Sequence, residues 1–124
     1  MTLTRDHILS VPDFEVRPVA VPEWGGTVYV RTITGGQAEQ YYAALRGGAS
    51  DRNVMARLVA YAACDERGNL LFRPEDIDAL AARSFRALER VFDAAMQLNG
   101  MTDEAVEAEE KNSATAPTSD SGTD

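Results

Sequence analysis

Few residues in this chain could do chemistry, and each has a plainer use. Glu75, Asp76 and Asp78 stand close together, as a general acid and base would. They also follow Pro74 at what reads as a helix start, where carboxylates are favoured by the positive end of the helix dipole, and that use accounts for them. His7 has Asp6 and Ser10 nearby, the residue types of a nucleophilic triad, but such a triad is set by geometry in space. An early histidine in a short capped turn reads as a surface residue. The glycine pairs Gly25-Gly26, Gly35-Gly36 and Gly47-Gly48 lack the lysine of a phosphate-cradling loop, so turns and helix ends explain them. Asp65-Glu66-Arg67-Gly68-Asn69 begins like a calcium loop but lacks the alternating ligands and the closing Glu. Cys64 and His7 are the single cysteine and the single histidine, too few for a disulfide within the chain or a Cys/His zinc site. Cys64 ends the apolar run that starts at Leu58; it reads as a buried small hydrophobe, with a reactive thiol as the alternative. No residue set brings a nucleophile, a base and an electrophile together, so neither an enzyme nor a cofactor or metal is expected.

Two features point to binding instead. Trp24 sits beside Gly25-Gly26, at a turn where solvent is expected. It either folds back onto the core or serves as a partner anchor, a role in which tryptophan is enriched. Tyr41 and Tyr42 would lie on neighbouring faces of one helix, one in the core and one on the surface.

Composition narrows the partners. With 124 residues, 44% of them hydrophobic and 26% charged, the chain suits one compact domain with a modest core. Net charge is −8, but the acidic residues gather at the end: Asp103, Glu104, Glu107, Glu109, Glu110, Asp120 and Asp124 face the lone Lys111 there. A near-neutral body with an acidic ending is a poor ligand for phosphate backbones, so nucleic acid is not expected. No apolar run approaches the roughly 20 residues that span a bilayer. Met1-Thr2-Leu3-Thr4-Arg5-Asp6 has no apolar stretch behind a basic start, so no secretory leader is expected.

The elements that must position these residues are legible by period. Thr4 caps a short turn running to Leu9, broken at Pro12. Phe14–Val21 and Thr27–Ile33 read as two strands joined at Pro22-Glu23-Trp24-Gly25-Gly26, a β-hairpin that must pack on something to persist. Thr34 and Gln37 have capping-box spacing for a helix to about Leu45. Ser50 or Asp51 caps the next, Arg52 to about Cys64, whose wide apolar face makes it the central helix. Leu70-Leu71-Phe72 reads as a short extended apolar piece. Ile77 and Leu80 stripe the helix that Pro74 opens. Ser84 either caps a further helix or sits exposed within one, with Phe85, Leu88, Phe92, Ala95 and Met96 along one face, stopping at Asn99-Gly100. The expectation is an α+β fold, with an N-terminal β-hairpin packed on a mostly helical bundle. The folded domain spans residues 1–101, with an acidic short helix over 102–112. Residues 113–124, rich in Ser, Thr, Ala, Pro, Gly and Asp, should be disordered, and deleting them should leave the melting temperature nearly unchanged.

At this point the chain resembles a known family. Val21-Pro22-Glu23-Trp24-Gly25-Gly26-Thr27-Val28-Tyr29-Val30-Arg31 is similar to the N-terminal hairpin of siphovirus-type phage tail assembly chaperones, and Val54-Met55-Ala56-Arg57-Leu58-Val59 to their central helix. Asp65 to Phe72, then Glu75-Asp76-Ile77 and Leu80, resembles their turn, Leu-Phe and acidic-helix stretch. Leu98-Asn99-Gly100-Met101-Thr102 with Glu107 to Asn112 resembles their ending. The likeness covers residues 5–112 and is carried by order and spacing.

The resemblance implies a protein of the host cytoplasm, from a phage or prophage, that binds the tape measure protein, keeps it soluble, gathers tail tube protein around it and is absent from the mature virion. Helix-in-groove contact is the expected mode, with Phe85, Leu88, Phe92 and Met96 as groove walls and Trp24 and Tyr41 nearby; intramolecular core is the alternative for all six. No membrane is implied, and a homo-oligomer is left open. The family often has a longer product made by a programmed −1 ribosomal frameshift. The chain uses arginine eleven times and lysine once, as a GC-rich gene would, and Glu110-Lys111-Asn112 can be encoded GAA-AAA-AAC, which contains the slippery heptamer A-AAA-AAC. Two other readings stand beside this one: a structural tail completion or connector protein retained in the virion, and a small bacterial adaptor or antitoxin-like binding protein.

Overall fold

The computed structural model describes residues 1–47 and 53–101. The expected caps at Ser50 or Asp51, the acidic helix of 102–112 and the segment 113–124 lie outside the described residues.

Helix α1 (Arg5–Ser10) is closed by its own side chains: Thr4 Oγ1 accepts from His7 N at 3.2 Å, and Ser10 Oγ donates to Asp6 O at 2.8 Å. No residue of α1 is buried. Strands β1 (Val16–Val21) and β2 (Gly26–Arg31) then form the expected hairpin, antiparallel from Val16 opposite Arg31 to Val21 opposite Gly26. Pro22–Trp24 make a 3-10 turn, and Gly25 at φ 76° supplies the left-handed residue that reverses the chain. Thr32 N donates to Glu15 O and Glu15 N to Thr32 Oγ1, which ties off the open end.

A third strand was not expected. Helix α3 (Val54–Ala62) stops two residues early, and Ala63–Cys64 turn extended as β3 beside Tyr29 and Val30. Leu70 then bridges Cys64, and Leu71 N donates to Ala63 O at 3.1 Å, so the extended apolar piece leans on β3. Apolar periodicity alone cannot separate a buried helix end from a short buried strand, and here sheet pairing wins.

The helices fall close to expectation. The capping box at α2 (Gly35–Arg46) is complete, with Gln37 N donating to Thr34 Oγ1 at 3.0 Å and Thr34 N to Gln37 Oε1 at 2.9 Å. α3 buries Ala56, Leu58, Val59, Ala60, Tyr61 and Ala62 and is the central helix. Pro74 opens a 3-10 turn that leads into α4 (Ile77–Ala81), with Ile77 and Leu80 buried. Ser84 does start a separate helix, α5 (Phe85–Leu98), accepting from Ala87 N at 3.3 Å. α5 ends in a Schellman closure: Gly100, at φ 67°, donates to Gln97 O and Met101 N to Met96 O at 2.8 Å. The core gathers between α3, α5 and the inner face of the hairpin, where Val21, Val30, Leu58, Val59 and Val91 are fully buried.

Candidate functional site

The fold first fixes where the hairpin tip lies. Arg90 on α5 grips Glu23 with two hydrogen bonds, 2.8 Å from Nε and 3.1 Å from Nη2. That bond to Arg90 is the chief reason the Glu23 carboxyl lies below its ordinary value. The clamp holds the tip over α5, and Trp24 is half-buried against the core. A second tie sits behind it. Asn99 Oδ1 accepts from Ile33 N at 2.9 Å, while Nδ2 donates to Arg31 O at 3.3 Å and Ala95 O at 2.9 Å, so the end of α5 is fastened to the exit of β2.

The six residues marked in the sequence take three kinds of place. Tyr41 and Leu88 are 4% and 5% exposed and belong to the core. Burial pushes the Tyr41 hydroxyl up, with Tyr42 adding to it. Tyr42 faces solvent with its ring centroid 5.6 Å from that of Tyr41. Trp24, Phe92 and Met96 are half-buried and lean on the core. Phe85 is 62% exposed. Glu110, Lys111 and Asn112 lie outside the described residues.

Two adjoining hollows flank α4. One, of about 210 Å³, is lined by Asn53, Met55, Ala56, Ala81, Arg83, Phe85 and Leu88. The other, of about 340 Å³, is lined by Leu71, Phe72, Asp76, Ala79, Leu80 and Arg83. The structure therefore brings Phe85 and Leu88 to one hollow; Trp24, Tyr41, Phe92 and Met96 do not line it. Sequence reasoning missed Met55, Ala81 and Arg83. One signal lay in Leu70-Leu71-Phe72, an apolar run in a non-helical segment, since Leu71 ends 50% exposed.

The sites that resembled chemistry resolve into structure. Asp65 Oδ1 accepts from Arg67 N and Asn69 N, each at 2.9 Å, and the Asn69 N–H is the largest influence lowering its pKa. It is the anchor of a turn. Cys64 is buried, and burial pushes its thiol up despite Arg31, the opposite of an activated nucleophile. Asp76 accepts from Arg73 N at 2.9 Å and so closes its own turn. Among the described residues no group of three or more His, Cys, Asp or Glu is placed to hold a metal ion, and no helix is long and apolar enough to cross a membrane.

No family model and no curated protein matches the chain. A solved structure does: the tail assembly chaperone of bacteriophage HK97 superposes with a TM-score of 0.61 over 79% of this chain and 95% of that one, at 18% identity. The chain has the fold of a phage tail assembly chaperone. The match spans nearly all of the HK97 chain, so it is a likeness of whole architectures rather than of one hairpin or helix pair. At that identity the agreement lies in how elements are arranged, and side chains lining a surface are free to differ.

Proposed function

We propose that this chain is a phage tail assembly chaperone that binds the tape measure protein, keeps it soluble and helps tail tube protein gather around it. The observation that carries the reading is the likeness to the HK97 tail assembly chaperone over almost that protein's whole length. The hairpin, central-helix and ending motifs of the sequence support it independently, since they resemble the same family. The physics is coherent. A long helical chain with an apolar face aggregates if it waits uncovered for its tube. A small acidic partner that covers that face adds charge and keeps it dissolved. The hollows beside α4, walled by Phe85, Leu88, Leu71 and Leu80, suit apolar anchors of a docked helix. The chaperone acts in the host cytoplasm and leaves before the virion is complete.

Co-expression with the large tape-measure-like protein encoded beside this gene tests the reading. The expected result is that the large protein is soluble only with this chain and co-purifies with it. A large protein soluble alone, with this chain present in purified particles, replaces the chaperone with a structural component. The same reading includes a frameshifted longer product, with the slip at Glu110-Lys111-Asn112. Codons GAG-AAG-AAC at those positions would sink that part.

A further inference from the structure

We infer that the groove across α4 selects a helical segment carrying a carboxylate between two apolar anchors, and that Arg83 makes the selection. The inference rests on the proposed chaperone reading and specifies which partner segments the surface accepts. Arg83 lines both hollows. Its side chain is exposed, and among the described residues it has no carboxylate at ion-pair distance; the pairs formed are Arg5–Asp6, Arg17–Glu15 and Arg90–Glu23. Among the described residues Asp76 is the one other charged residue lining the hollows, and it is engaged by Arg73 N. Nearby Asp78 accepts from Asn53 Nδ2 at 2.8 Å.

The groove thus offers apolar walls, a satisfied carboxylate and an exposed arginine that borders both hollows. A wholly apolar helix docked there would cover Arg83 without a partner, which costs free energy. A basic helix would meet like charge. A helix with apolar side chains at i and i+7 and Glu or Asp at i+3 or i+4 fills both hollows and pairs the cation. Arginine suits this role because its planar fork takes a carboxylate in two parallel hydrogen bonds.

Two synthetic amphipathic peptides that differ at the central position alone, Glu in one and Lys in the other, between flanking leucines, supply the test. Each is titrated against the full chain by fluorescence anisotropy. The Glu peptide is expected to bind about fivefold tighter, the scale of a partly exposed ion pair, with the margin shrinking as salt rises. Arg83→Glu inverts the preference, and Arg83→Lys keeps its sign. Among the described residues the Arg83 side chain makes no hydrogen bond or ion pair, so unchanged melting of the variants is the control. Equal binding of the two peptides, no binding of either, or a preference that survives Arg83→Glu each overturns the inference. The chaperone reading is judged apart from it: if the tape measure protein co-purifies equally well with wild type and Arg83→Glu, the groove inference fails and the function stands.

Discussion

Asn99→Ala should be among the most damaging polar substitutions in this chain. Its amide accepts from Ile33 N and donates to Arg31 O and Ala95 O. The bonds to Ile33 and Arg31 join the end of α5 to the strand that leaves the hairpin, across 66 positions of sequence between Asn99 and Ile33, while the bond to Ala95 O closes the helix end itself. Each such bond is worth about 0.5–1.5 kcal/mol net, so losing all of them costs roughly 2–3 kcal/mol. For a domain near 100 residues that lowers Tm by about 10–20 °C. Thermal unfolding followed by far-UV circular dichroism reads the shift. Gln97→Ala, an exposed side chain on the same helix turn, is the control and should move Tm little. A fall of less than about 3 °C for Asn99→Ala would mean that packing of α5 on the hairpin holds the register without the amide, and the reasoning would be wrong.

Other perturbations separate core from surface. Leu88→Ala, at 5% exposure, should cost about 2–5 kcal/mol in chemical denaturation. Phe85→Ala, at 62% exposure, should stay within about 0.5 kcal/mol yet weaken partner capture in the co-expression assay; the reverse pattern would reassign both residues. The Glu23 carboxyl is held below its ordinary 4.5, first by the Arg90 hydrogen bond. A lowered folded-state pKa gives stability that is present above the unfolded value and lost as pH falls through the folded one. Glu23→Gln should therefore melt below wild type near neutral pH and converge with it in acid, and parallel Tm curves would exclude the clamp as the cause. The Cys64 thiol, buried and pushed up, should react with a thiol reagent far more slowly in the native chain than in denaturant; equal rates would place it at the surface.

Much of the fold was readable because local chemistry and tertiary packing agree. The hairpin announces itself through β-branched strands either side of Pro22–Gly26, and Gly25 takes the positive φ that the turn needs. The Thr34–Gln37 box and the Ser84 cap form as their spacing predicts. Where the reading stopped short, a long-range contact decided. Ala63 and Cys64 carry no local strand signal; they become β3 because Tyr29 and Val30 of β2 offer a sheet edge there. No window of sequence around Cys64 contains that edge.

The proposed binding surface was harder to read for a related reason. Phe85, Leu88, Phe92 and Met96 share a helix face by spacing, but the face that α5 buries is set by Ala87, Leu88, Val91 and Ala95. Small side chains let a neighbouring helix and the hairpin approach closely, so the seam runs along the alanines and Val91. The bulky Phe92 and Met96 are displaced to its flank, half-buried. Phe85 heads the helix and stays outside that cover. An apolar stripe says which residues want burial, and only the packed neighbours say which of them obtain it. Phe85 is left wanting, two positions after Arg83, which has no ion pair among the described residues. A side chain that folding leaves uncovered, next to a charge that folding leaves unanswered, is where a second protein has the most to gain.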